Sequence, residues 1–240
     1  MDARPDYLVN TQWLAEHLDD SNVRVFDVTG MLTATFTNLA DERSYSAGHI
    51  PGAAFLDIAG RDQRLSKRGA PLPWSWPTRD IAEEDLGAIG IDNDSRVILY
   101  AASPRVGVDK GAMWTTRAWW LMHAFGVNCA VLDGGYEKWV AESRPIDTTA
   151  HLYPPTHFRA DGDGQRAVVS KSEVREGLAD GGTCVIDALP TASFDGSRDM
   201  GYGPNKGHIT GALSLPMDDL LAEDGTFLPA DALLQALGRH

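Results

Sequence analysis

The residues best able to do chemistry in this chain are two thiols, a loop that could cradle an anion, and two histidines set in glycine-bearing turns. Cys129 lies in the apolar run Asn128 to Leu132, just before Asp133, and Cys184 lies in Thr183 to Ile186, just before Asp187. A cysteine acts as a nucleophile only as the thiolate. Flanked by apolar strand residues, both are expected to be buried and inert. Two cysteines are no disulfide framework. The seven histidines and two cysteines show no ligand spacing for a metal, so neither a metal nor another cofactor is expected. A phosphatase loop would need a Cys and an Arg bracketing five residues, and residues 1–240 contain no such pair.

The loop is Ala101 to Gly111 (AASPRVGVDKG), which leaves the apolar run Arg96–Tyr100 and enters a helix expected over Ala112–Phe125. A strand end leading into a helix N-terminus suits an anion or a thiolate. This loop has no cysteine. The histidines occur in Gly48-His49-Ile50-Pro51-Gly52-Ala53 and again in Gly207-His208-Ile209-Thr210-Gly211-Ala212. His49 reads as a structural histidine that bonds backbone near Asp27.

The hexapeptides belong to a longer duplication. Leu8 to Asp27 lies over Val168 to Asp187 without a gap at an offset of 160, and Asp to His is 22 residues in one copy and 21 in the other. Units this long indicate a duplicated domain, since solenoid repeats run roughly 20–50 residues. In the first copy, helices are expected over about Gln12–Leu18 (capped by Thr11), Thr78–Ile89, Ala112–Phe125 and Tyr136–Ala141. Strands are expected at Val23–Val28, Ala54–Leu56, Arg96–Tyr100 and Asn128–Leu132. Trp114, Trp119 and Trp120 read as helix–sheet packing. Alternating strands and helices without hairpin signals predict a parallel α/β sheet covered on both faces. Residues 60–79 are irregular, basic at first and then proline-rich. Pro145 to about Gln165 lacks periodicity, so the chain divides into domains 1–145 and 166–240 joined by a linker, 146–165. The second copy repeats a helix (Lys171–Leu178), a strand (Thr183–Ile186), the turn, Leu213-Ser214-Leu215, and a helix starting near Pro229-Ala230-Asp231.

Composition narrows the partners. A net charge of −13 disfavours a nucleic-acid partner and means that any anion site needs local cations. No apolar run approaches the ~18 residues of a membrane span. No secretory signal is visible at the N-terminus, so a reducing cytoplasm is the expected location.

The two GHI-x-GA turns, each after a strand ending in Asp, together with Arg117-Ala118-Trp119-Trp120 and Leu132-Asp133-Gly134-Gly135-Tyr136-Glu137-Lys138-Trp139, resemble the rhodanese family. The two-unit arrangement is similar to the tandem thiosulfate and 3-mercaptopyruvate sulfurtransferases, over almost the whole chain. The resemblance implies two rhodanese-like domains, each a parallel sheet flanked by helices. It also implies a small anionic sulfur donor, a thiol or cyanide as acceptor, and a cysteine persulfide as carrier. In that family the nucleophilic cysteine opens the strand-end loop of the catalytic, usually second, domain. Gly238 matches Gly90, so the second copy of the loop is expected beyond His240: the second domain is read as truncated and the catalytic residue as absent from 1–240. The family's arginine two residues after the strand-end aspartate is Leu189 here. Arg198 and Lys206, in the loop before His208, stand where the family often places anion-binding cations, and are the candidate substrate-binding residues. The alternative is a non-catalytic rhodanese-like module that binds a partner.

Overall fold

The computed structural model describes residues 7–61, 63–109, 111–164, 168–199 and 204–238, and the chain splits into two compact units, 1–167 and 168–240. The domain boundary expected at Arg166 and the chain end at His240 lie outside the described residues.

In the first unit five strands run parallel: β1 (Leu8–Val9), β2 (Val23–Asp27), β3 (Ala54–Phe55), β4 (Arg96–Tyr100) and β5 (Cys129–Leu132), in the order β1-β5-β4-β2-β3. Helices α1 (Thr11–His17), α2 (Ala40–Arg43), α3 (Arg79–Ala88), α4 (Gly111–Ala124) and α5 (Gly135–Ala141) connect them. Successive strand residues point to opposite faces, and both faces are apolar because both are covered. Val97 and Leu99 join Phe26 and Cys129 under Ala82 and Leu86 of α3 and Ala118, Leu121 and Met122 of α4. Ile98 and Tyr100 join Val25 and Ala130 under Leu14 of α1 and Trp139 of α5. Each large side chain so buried stabilises the fold by ~1.5–3 kcal/mol.

Local signals set the helix ends. Asn10, rather than Thr11, caps α1: its Oδ1 accepts the Trp13 N–H at 2.7 Å, while Thr11 is the first helical residue and buried. Thr78 caps α3, its side chain accepting the Ile81 N–H. Trp114 of α4 packs so closely on the chain after β2 that a Cβ at Gly30 would lie 2.2 Å from its Nε1. Trp119 donates its Nε1–H to the Cys129 carbonyl at 3.2 Å.

The stretch expected as a linker straps the first unit along most of its length. His49 and Asp147 exchange backbone hydrogen bonds of 2.9 Å each. The Tyr153 hydroxyl donates to the Gly52 carbonyl at 2.8 Å and accepts the Val25 N–H at 2.9 Å. Thr156 N–H bonds the Gly87 carbonyl at 2.8 Å, and Phe158 and Ala160 are buried. Such an irregular segment has no periodicity to read, because it satisfies its backbone one bond at a time.

The second unit contains α6 (Lys171–Asp180), β6 (Ile186–Asp187), α7 (Thr191–Phe194), β7 (Leu213–Ser214) and α8 (Ala230–Leu237), with β6 and β7 parallel. Ser170 and Glu173 close a capping box on α6. The strand expected from Thr183 is shorter than its pattern suggested, and Cys184 is exposed, not buried. Among the described residues β6 pairs with β7 alone. The Leu213 N–H to the Val185 carbonyl, 2.8 Å, ties the chain just before the strand, and nothing in the ladder holds Cys184.

Candidate functional site

In parallel sheets ligands bind beyond the carboxyl ends of the strands. In the first unit that end is organised by Asp27, the last residue of β2. Its Oδ1 accepts the Thr29 N–H at 2.9 Å and the Thr29 hydroxyl. The Thr29 Oγ1 in turn accepts the Ala102 N–H at 2.8 Å, which pins the start of the 101–111 loop. Tyr100, opposite Asp27 in the ladder, bonds the carboxylate through its hydroxyl. The same hydroxyl accepts the Ile50 N–H at 3.2 Å, which fixes the histidine turn. Burial pushes the Asp27 carboxyl up from 3.8 to about 6, against the lowering effect of its hydrogen bonds and of His49. Burial, and secondarily Asp27, pushes the Tyr100 phenol well above its ordinary value.

His49 is fully buried. Its Nδ1 lies 2.8 Å from the Tyr45 carbonyl, its Nε2 lies 3.2 Å from the Thr149 carbonyl, and the ring stacks on Tyr45 at 3.9 Å. Both nitrogens face backbone oxygen, so this imidazole fastens the turn and offers no face to a substrate.

The loop is filled by two carboxylates, one from α5 and one of its own. Glu137 Oε1 accepts the Ser103 N–H at 2.6 Å. Asp109 accepts the Arg105 N–H at 2.8 Å and grips the Arg105 guanidinium at 2.6–3.1 Å. Those are N–H groups that an anion or a thiolate would use. Sequence reasoning missed this closure, although the four-residue spacing of Arg105 and Asp109 was a signal for it.

The second unit rebuilds part of the arrangement. Leu189 N–H bonds Asp187 Oδ1 at 2.9 Å, the counterpart of Thr29 on Asp27. His208 Nδ1 lies 2.7 Å from the Phe194 carbonyl and its ring stacks on Phe194 at 3.6 Å, as His49 does on Tyr45. The loop that follows β6 carries both candidate cations. Arg198 and Lys206 are exposed. Arg198 is held through its backbone N–H on the Ala192 carbonyl at 2.7 Å, and Lys206 Nζ lies 3.2 Å from Asp199. Arg198 thus follows α7 and Lys206 precedes the turn of His208. Cys184 precedes β6, at its amino end. Cys129 opens β5, donates to the Trp119 carbonyl at 3.7 Å, and is pushed up by burial to about 12.

Comparison with known proteins gives a consistent picture. Residues 10–142 match the family model of the rhodanese-like domain. The chain is 31% identical over 220 residues to the 3-mercaptopyruvate sulfurtransferase of Escherichia coli K12, covering 90% of this chain and 73% of that one. It is 28% identical over 225 residues to the thiosulfate sulfurtransferase of Bos taurus, covering 91% and 71%. Among solved structures it is similar to SseA from Escherichia coli, a 3-mercaptopyruvate sulfotransferase with the rhodanese fold, with a TM-score of 0.79 at 30% identity, over 97% of this chain and 83% of that one.

Proposed function

Because the chain belongs to the rhodanese-like domain family, whose matched relatives are 3-mercaptopyruvate and thiosulfate sulfurtransferases, we propose that it serves the transfer of a sulfane sulfur from one of those donors to cyanide or a thiol. The observation that carries the reading is the likeness to sulfurtransferases over nine-tenths of the chain. In this reading a cysteine thiolate attacks the sulfane sulfur of the donor. The donor's S–S or C–S bond breaks, the leaving group takes the electron pair, and the persulfide then yields its outer sulfur to the acceptor. The first unit supplies no nucleophile. Its strand-end loop has no thiol, and its N–H groups already serve Glu137 and Asp109. Arg198 and Lys206 supply the cations that draw a donor anion to a protein of net charge −13.

Neither Cys129 nor Cys184 is the nucleophile of this scheme, since each stands at the amino end of its strand. The 240 residues alone are therefore expected to produce no thiocyanate from thiosulfate and cyanide above the buffer rate, while still binding thiosulfate. Arg198→Gln together with Lys206→Gln should weaken that binding. Turnover abolished by Cys129→Ser or Cys184→Ser would show that the nucleophile is one of these two thiols. Absence of donor binding would favour the alternative, a non-catalytic module that binds a partner protein.

A further inference from the structure

The basic and proline-rich segment of the first unit lines an open cavity of ≈ 640 Å³ whose wall carries Arg61, Arg64, Lys67 and Arg68 beside Asp85. We propose that this cavity is a binding site for a phosphate group, free or carried on a small organic molecule. The inference is independent of the sulfur chemistry proposed above.

The loop is built rather than merely exposed. Asp85 of α3, 3% exposed, accepts the Leu65 N–H at 2.8 Å and the Arg68 guanidinium at 2.7 Å. Lys67 N–H and the Ser66 hydroxyl both bond the Ser75 carbonyl, at 3.0 and 3.1 Å. Arg61 N–H bonds the Phe36 carbonyl at 2.8 Å, and its guanidinium lies over the Phe36 ring. Leu65 (φ 57) and Trp74 (φ 58) are held in the left-handed region. Side chains other than glycine persist there when surrounding contacts over-determine them, often at ligand sites.

The charges do not cancel. Arg68 is engaged by Asp85 and by Glu84 at 3.4 Å, and Arg64 reaches Asp85 only at 3.7 Å. Among the described residues, Arg61 and Lys67 have no carboxylate within the 4.0 Å of an ion pair. One buried carboxylate thus orders the loop, and among the described residues the four cations outnumber Asp85 and Glu84 at the cavity, in a chain whose net charge is −13. Asp85 also lines the cavity, but a concave site in which one sign of charge predominates focuses counter-ions. Guanidinium groups match phosphate oxygens in pairs, and an ammonium adds a point charge. The volume lies within the roughly 300–1,000 Å³ of small-ligand sites, enough for a phosphomonoester as well as for the bare ion.

The test is a titration of the full chain with inorganic phosphate and, separately, with adenosine monophosphate. It is followed by backbone amide NMR shifts at constant ionic strength set with chloride. Saturable shifts at Leu65, Lys67 and Gly69 are expected. Arg61→Gln combined with Lys67→Gln, neither of which holds Asp85, should weaken binding by roughly tenfold or more. Lys171→Gln combined with Arg175→Gln, an equal charge loss on exposed positions of α6, should leave it unchanged. Tighter binding of the nucleotide assigns the site to a phosphomonoester, and equal affinity assigns it to the free ion. Shifts that fail to saturate, that centre on residues 198–208, or that survive the double substitution would overturn the proposal.

Discussion

Replacing Asp27 by Asn should stabilise the first unit at neutral pH and remove a pH dependence that the native chain possesses. Asp27 is 1% exposed, and burial raises its carboxyl from 3.8 to about 6. The folded state therefore holds this proton more tightly than the unfolded state. Between those values the native chain binds the extra proton, so its stability falls as pH rises through the window. Once the carboxyl is ionised in both states, the difference amounts to ~3 kcal/mol. Asn keeps the oxygen that accepts the Thr29 N–H and hydroxyl. It loses the acceptor for the Tyr100 hydroxyl, a cost of ~1 kcal/mol. The net gain at pH 7.5 is then ~2 kcal/mol, or ~1 M in urea midpoint. Carboxylates with lowered values, such as Glu83 and Asp147, act in the opposite direction but equally in both proteins, so the difference between variant and parent isolates Asp27. Tryptophan fluorescence reports the first unit alone, because all seven tryptophans lie between Trp13 and Trp139. A variant whose advantage over the parent does not shrink by ~2–3 kcal/mol between pH 7.5 and pH 4 would refute the account of Asp27 as a destabilising buried charge.

Three further outcomes follow from the packing. Dithionitrobenzoate should label Cys184 in the native chain at once and Cys129 only on unfolding, since one is exposed and the other is buried and pushed up to about 12; rapid labelling of two thiols would contradict that placement. Gly30→Ala should destabilise the first unit by ~1–3 kcal/mol through overpacking, because the added Cβ meets the Trp114 ring; an unchanged urea midpoint would mean that the ring yields freely. Asp109→Ala should release the 101–111 loop and speed amide exchange at Arg105, whose N–H it accepts, with little change in global stability; unchanged protection would show that the loop is held by other contacts.

The sequence spoke most clearly where one physical signal dominated. Arg96–Tyr100 was recognisable as β4 because five residues of β-favouring chemistry are enclosed on both faces. The helix of Ala112–Phe125 was recognisable as α4, and that of Thr78–Ile89 as α3, to within a residue or two at each end. Leu8–Val9 was missed as a strand because two residues carry no period; the pairing with Val131 and Leu132 that defines β1 is wholly tertiary. Cys184 was misjudged for a related reason. Its apolar neighbours fit a buried strand, but burial needs a covering neighbour, which local sequence does not specify. The strap from Asp147 to Ala160 looked like a linker because its partners, Val25, Gly52 and Gly87, lie far away in sequence.

The candidate site divides along the same line. The repeated Asp and His were visible because both copies keep their turn chemistry: an aspartate that caps its own chain two residues on, and a histidine bonded to a backbone carbonyl and stacked on an aromatic ring. What separates the two units functionally was hidden. In the first unit the strand-end N–H groups that could meet an anion instead meet Glu137 and Asp109, and both carboxylates come from within that unit. An internal carboxylate at a helix-entry loop satisfies the same donors as a substrate anion, without the entropy cost of capturing one. Any donor anion arriving there would have to displace a tethered carboxylate and be repelled by it. The second unit has exposed cations, Arg198 and Lys206, between α7 and β7, and among the described residues the partner of Lys206 is an exposed aspartate. An exposed pair of this kind is worth ~0–1 kcal/mol, little enough for a doubly charged donor to compete for the lysine. The proposed division of labour thus follows from where each unit keeps its negative charge: built into the loop of the first, and left for the substrate to bring to the second.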